Sequence, residues 1–205
     1  SAKDLDALVD ALKAREFDAL WSPDKADARK VILERVHPSD RIGVGGSMSI
    51  RELEVLETLK KNGHTVYDHW APNLSKKEIL KTRKLQMQSD LFLSGTNALI
   101  TDGRLVNIDG VGNRVNSMVF GPERVIIIAG VNKIVPSLDA AFDRIKNVAS
   151  PPNARRLSIP TPCAKTGKCA DCRSPYRICR AVLIHEWRPL LTQVLVIIVN
   201  ENMGY

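Results

Sequence analysis

The chain has 205 residues, 44% of them apolar and 26% charged, with a net charge of +7, enough for one substantial core and ordinary for a globular domain. Its longest apolar run, VLVIIV near the end, is far short of the about 20 residues that span a bilayer, and SAKDLDALVD is too charged to be a signal peptide. A cytoplasmic protein without a membrane span is therefore expected, while the positive charge suits solubility, an anionic ligand or an acidic electron carrier.

Asp4 can cap a first helix with Leu5, Leu8, Val9, Leu12 and Leu20 on one face. Ser22-Pro23 then reads as the cap and first turn of a second helix, whose stripe is Ala28, Val31, Ile32 and Val36, ended by His37-Pro38. The two helices would pack on the main sheet or on a second copy, so a homodimer is open. RIGVGG follows as a strand entering a glycine turn. SMSIRELEVLETLKKNG is one helix burying Leu53, Leu56 and Leu59, with Ser49 and Glu52 as its capping box. HTVYDH is a strand, SKKEILKTRKLQMQ a helix opened by a Ser75–Glu78 capping box, and DLFLSG another strand. The alternation predicts an α/β fold with a largely parallel, mixed sheet flanked by helices.

ALITDGRLVNID breaks that rhythm: Asp102-Gly103 suits a tight hairpin, putting Leu105, Asn107 and Asp109 on one face of its second strand. GNRVNSMVFG is a short helix. RVIIIAG is a central strand covered on both faces. Ser137 caps a helix with Leu138, Ala141, Phe142, Ile145 and Val148 on its stripe. The prolines of SPPNARRLSIPTP mark an exposed linker, and LLTQVLVIIV closes the chain as the last strand. The whole, residues 1–205, reads as one domain carrying a cysteine-rich insertion at 161–187, anchored by Trp187.

All four cysteines lie in that insertion, as Cys163-x5-Cys169-x2-Cys172-x6-Cys179. Disulfides are disfavoured in a reducing compartment and a chain of this size. A four-thiolate centre remains. One C-x-x-C knuckle where zinc ribbons use two, and a compact linear ligand run, favour a [4Fe–4S] cluster. Zinc is the alternative, and free thiols a third reading. Lys165, Lys168, Arg173, Arg177 and Arg180 flank the thiols against Asp171 alone. They would offset thiolate charge, raise a cluster's potential or attract an acidic carrier. His185 reads as a packed histidine.

A second candidate site is polar. In GVGGSMS, between a strand and a helix, Gly45 and Gly46 would let an anion approach backbone N–H groups, with Ser47 adding a hydroxyl. A plain tight turn would use the same glycines. Thr96, Asn97, Asn107, Asp109, Asn113, Arg114 and Asn116 come from a stretch rich in Asn, Asp and Gly. They can converge near that loop, although turn chemistry also favours them. Asp109 and Asp102 are the candidate general bases. No aromatic-rich basic strand or reading helix points to nucleic acid.

GVGGSMS, GTNALITDGRLVNIDGVGNRV, FGPERVIIIAGVNKIV and the closing VNENMGY together resemble the lactate-utilization, or LUD domain, family from about residue 5 to 205, most specifically over Ser94 to Val135. The resemblance implies the fold of the group that includes ribose-5-phosphate isomerase, glucosamine-6-phosphate deaminase and coenzyme A transferases. It places Gly45, Gly46 and Ser47 in a pocket walled by Thr96, Asn97, Asp109, Asn113 and Arg114. No counterpart of a coenzyme A transferase's glutamate nucleophile is found. The four-cysteine segment is similar to that of short LUD proteins found largely in anaerobes. The leading expectation is an iron–sulfur protein passing electrons to or from a small organic acid such as lactate. The alternatives are a cofactor-independent isomerase or hydrolase of a phosphorylated or acyl substrate with a structural metal site, and a non-catalytic redox- or iron-sensing module.

Overall fold

The computed structural model describes residues 2–205. The first elements are α1 (Ala2–Lys13), β1 (Asp18–Ser22), α2 (Lys25–Arg35), β2 (Ile42–Val44), α3 (Met48–Glu52), α4 (Val55–Lys61), β3 (Val66–Asp68), α5 (Lys76–Gln86) and β4 (Leu91–Gly95). A hairpin of β5 (Ala98–Ile100) and β6 (Leu105–Asp109) follows, then α6 (Asn113–Ser117), β7 (Arg124–Gly130) and β8 (Ile134–Val135). The chain ends with α7 (Leu138–Arg144), α8 (Ser150–Arg156), α9 (Pro162–Thr166), β9 (Ala181–His185) and β10 (Gln193–Val199).

Six strands form a parallel sheet in the order β1-β10-β7-β4-β2-β3. Its central strands are buried on both faces, which is why they read as unbroken apolar runs. Ile126, Ile128, Leu195, Ile197 and Val199 face one core with Ile32 of α2, Ile50 of α3 and Leu56 and Leu59 of α4. Their alternates, Val125, Ile127, Val194, Val196 and Ile198, face a second core with Leu5, Leu8, Val9 and Leu12 of α1. A smaller mixed sheet, β8-β5-β6-β9, joins the second core through Leu99 and Leu105. Its other side, Ala98, Ile100 and Val106, packs on α7 through Ala141. The expected mixed, largely parallel α/β architecture is thus present, as two sheets. Among the described residues no helix is long and apolar enough to cross a membrane.

Several local expectations are met. Ser75 and Glu78 form a reciprocal capping box at α5, Ser137 caps α7, and Gly103, at φ +90°, turns the β5–β6 hairpin. The apolar stripe of α1 is spent inside this chain.

Others are corrected. Leu20 does not continue α1. It lies in β1, beside Ile197 of β10, because burial against a distant strand outweighs a helical spacing that stops at Leu12. Ser22 ends that strand, and Asp24 caps α2 by accepting from the Asp27 N–H. The helix expected over 47–63 breaks at Glu54, at φ +51°. Its cap is Ser47, not Ser49. Residues 150–156 are helical, not a linker: Pro151 and Pro152 occupy opening positions of α8, where a missing N–H costs nothing. Val148 is exposed, because the turn at Ile145–Ala149 is π-helical and rotates it off the stripe. The cysteine segment runs into a further strand, β9, which pairs with β6. Trp187 is 55% exposed and anchors nothing.

Candidate functional site

In the large sheet the connections from β2 to β3 run toward one edge, and those from β4 to β7 and β10 toward the other. The order therefore reverses between β2 and β4, and in open α/β sheets the crevice at that reversal, beyond the carboxyl ends of the strands, is where ligands bind. A cavity of about 300 Å³ opens there. Much of its lining comes from segments after five of the six strands: Gly46 and Ser47 after β2, His69 and Trp70 after β3, Thr96 and Asn97 after β4, Lys133 after β7, and Gly204 after β10. Asp109, Asn113, Arg114, Ser150, Asn153, Arg156 and Cys179 complete the lining.

Most of the expected polar residues meet here. Gly46, Ser47, Thr96, Asn97, Asp109, Asn113 and Arg114 line the cavity, whereas Gly45 and Asn107 lie behind its wall and Asn116 bonds back to Phe120 O. Asn107, wholly buried, holds that wall together. Its Oδ1 accepts from Arg114 Nη1 at 2.6 Å and its Nδ2 donates to Thr96 Oγ1 at 3.1 Å. Arg114 also donates to Asn97 Oδ1 at 2.9 Å and to the Ile108 carbonyl at 3.0 Å. Ser47 is engaged as the cap of α3, accepting from the Ile50 N–H. A five-residue helix presents little dipole, so the glycine loop shapes the floor more than it charges it. Gly46 is required there by space: a Cβ would stand 2.7 Å from the Trp70 ring.

Neither candidate base is poised to take a proton. Asp102 lies outside the cavity, at the hairpin tip, paired with Arg104 and Arg15. Asp109 lines the cavity, but its carboxylate already accepts from the N–H groups of Val111, Arg114 and Val115. Burial pushes its pKa up, yet Arg114 and these backbone donors outweigh burial and hold it below the ordinary carboxylate value.

The principal groups missing from the sequence reading are cations and one imidazole. Lys133 is 4% exposed, and its Nζ donates to Ser49 Oγ at 2.8 Å and to the Thr96 carbonyl at 3.0 Å. Burial, helped by Arg144 and Arg114, lowers its pKa to about 7. Arg156 lies 4.0 Å from the Trp70 ring centroid, with Arg51 at 5.2 Å from the same ring. Arg83 and Arg156 each bury an Nε with no hydrogen-bond partner. Among the described residues neither they nor Lys133 forms an ion pair. His69 Nδ1 sits 2.9 Å from Gln86 Nε2, an amide nitrogen identified by its two carbonyl partners, Val44 O and Tyr67 O. Nδ1 therefore accepts, the proton sits on Nε2, and burial together with Arg83 keeps the ring neutral, its pKa down at about 4. A lysine directly after an apolar strand was the one legible signal. Arg83 and Arg156 look like ordinary helix-surface charges.

The cysteine segment meets this cavity at Cys179. Cys179 Sγ lies 3.4 Å from Ser150 Oγ, Cys163 Sγ lies 3.2 Å from Thr161 Oγ, and Cys169 Sγ accepts from the Asp171 N–H at 3.3 Å. Burial pushes the Cys179 thiol up, and the nearby Cys169 and Cys163 add to this. Arg177 crosses the segment, donating to the carbonyls of Cys172 and Cys179. All four thiols are free. Among the described residues no three His, Cys, Asp or Glu side chains already stand as a metal-holding group. In kind the donors suit a thiolate-bound group: four sulfurs on one loop, with hydroxyl, N–H and guanidinium groups around them, as sulfur ligands require. His185 is packed, as expected, edge-on to Phe17 with Nε2 3.4 Å from the Met118 carbonyl.

One solved structure is similar in fold over nearly the whole chain. A DUF162 family protein from Deinococcus radiodurans is similar at a TM-score of 0.57 and 15% identity, over 97% of this chain and 98% of that one. Ribose 5-phosphate isomerase from Plasmodium falciparum shows a partial likeness, at a TM-score of 0.36 and 24% identity, over 55% and 52% of the two chains. No curated protein matches. The family model for the LUD domain matches residues 5–199, and with that coverage the chain belongs to the LUD domain family.

Proposed function

We propose that this chain binds a small organic acid in the strand-end cavity, that Cys163, Cys169, Cys172 and Cys179 hold a [4Fe–4S] cluster at its edge, and that the two are coupled in electron transfer. The observation that carries the reading is that Cys179 lines the same cavity as three cations without carboxylate partners, Lys133, Arg83 and Arg156. Lys133 is buried, and Arg83 and Arg156 each bury an Nε that lacks an acceptor; such groups are costly to leave unpaired, and an acid anion supplies acceptors. Lactate, the acid for which the family is named, is the first candidate.

When bound, the cluster supplies one-electron transfer. The chain's own residues orient the acid and manage its protons. Arg114, fixed by Asn97 and Asn107, stiffens the wall. Lys133 Nζ, with its pKa near neutrality, can hold or release a proton without leaving its two acceptors. His69 offers a neutral Nε2–H donor. On the outer side, Lys165, Lys168, Arg173 and Arg180 are exposed, a surface suited to an acidic electron carrier.

Anaerobic purification tests this. Iron and acid-labile sulfide near four each per chain are expected, and added organic acid should shift the reduced cluster's electron paramagnetic resonance spectrum. Zinc in place of iron, or a cluster spectrum indifferent to every acid, would overturn the reading.

A further inference from the structure

The cations of the cavity fall into two groups. Lys133 follows β7 and is held by Ser49 and Thr96. Arg83 and Arg156 line the cavity with His69 and Trp70, which follow β3, three strands from β7 in the sheet order. Arg83 bears on His69, and Arg156 stacks on Trp70. The only side-chain hydrogen bond of Arg156 among the described residues goes to Asn153 Oδ1, at 2.8 Å, from Nη2.

Size points the same way. About 300 Å³ is the volume of roughly ten waters in the liquid, and lactate displaces only about four. A lone carboxylate would satisfy one group of cations, strand the other, and leave most of the cavity wet.

We infer that the cavity takes an acid with two separated anionic groups, one seated at Lys133 and the other between Arg83 and Arg156: a dicarboxylate or a phosphorylated carboxylic acid. This rests on the cavity being the acid site proposed above and names the class of acid. The guanidinium forks suit the planar carboxylate or the phosphoryl oxygens, and the Trp70 face holds Arg156 in place for them.

The test is calorimetric titration of the anaerobically purified full-length chain with lactate, succinate, 3-phosphoglycerate and inorganic phosphate. At least one two-headed acid should bind tenfold or more tightly than lactate and inorganic phosphate. Whichever of succinate and 3-phosphoglycerate wins tells the carboxylate from the phosphoryl source. In Arg83→Gln and Arg156→Gln the ratio of two-headed-acid affinity to lactate affinity should fall at least tenfold. Arg83→Gln guards against a folding defect at the Arg156–Trp70 stack, and both variants are checked by thermal melting. Lactate binding as tightly as the two-headed acids, or a ratio unmoved in both folded variants, overturns this inference while leaving an acid site standing. No binding by any of the four overturns the site itself.

Discussion

Lys133→Met removes a buried amine while keeping most of its length and apolar stem. Folding takes that amine from the ordinary lysine value of 10.5 to about 7, so a chain protonated in both states forfeits on the order of 5 kcal/mol. The sign follows from proton counting. Above about pH 10.5 neither state holds the proton and no penalty exists. Between there and about pH 7 the unfolded chain holds it and the folded chain does not, so stability rises with pH. As pH falls through about 7 the folded chain takes the proton and the full penalty is present. Within that window Lys133 adds about 1.4 kcal/mol per pH unit, hence about 2 kcal/mol between roughly pH 8 and 9.5. Urea denaturation of wild type and Lys133→Met at those two pH values measures it. Cysteines and tyrosines titrate in both proteins and cancel in the difference. Wild type should gain about 2 kcal/mol more than the variant, and the variant should be the more stable of the two at neutral pH. Equal gains would refute the placement of Lys133 as a desolvated amine.

Three further outcomes are expected. His185, held neutral with its pKa down at about 4 chiefly by burial, contributes stability that is complete above about 6.5 and lost as pH falls through about 4. His185→Phe should therefore shift the acid-unfolding midpoint seen by circular dichroism to lower pH. Gly46→Ala drives a Cβ into the Trp70 ring; a melt within about 3 kcal/mol of wild type combined with altered tryptophan fluorescence and weakened acid binding would show the ring to be part of the wall. Ser75→Ala removes the capping box of α5 and should cost about 1 kcal/mol in urea, with iron content and acid affinity unchanged.

Elements whose stability is local could be read before folding. The capping box at Ser75, the hairpin at Asp102-Gly103 and the two-sided apolar strand at 124–130 each carry their reason within a few residues. The parallel α/β class followed from their alternation. Asn97, Asp109 and Arg114 were legible as residues that line the cavity because their stretch is polar where core strands should be apolar. What could not be read depends on partners far along the chain. β1 is a strand because β10 lies beside it, although its own residues can also continue a helical stripe. Pro151 and Pro152 look like breakers until the preceding turn supplies a helix for them to join. The surroundings of Asp102 and Asp109 were hidden for a related reason: a carboxylate's availability is decided by the donors around it, and Arg104, Arg114 and three backbone N–H groups are aligned only by the fold.

The sequence by itself determined the locally stabilised elements, the fold class and the single loop that carries all four thiols, since propensity, patterning and spacing act over short distances. Only the tertiary structure decided that Lys133, Arg83, Arg156 and Cys179 share one cavity. Lys133 follows β7, Arg83 lies in α5, Arg156 ends α8 and Cys179 precedes β9, and no local rule relates them. They meet because parallel strands all end on the same edge of the sheet, and a reversal in strand order opens that edge into a crevice.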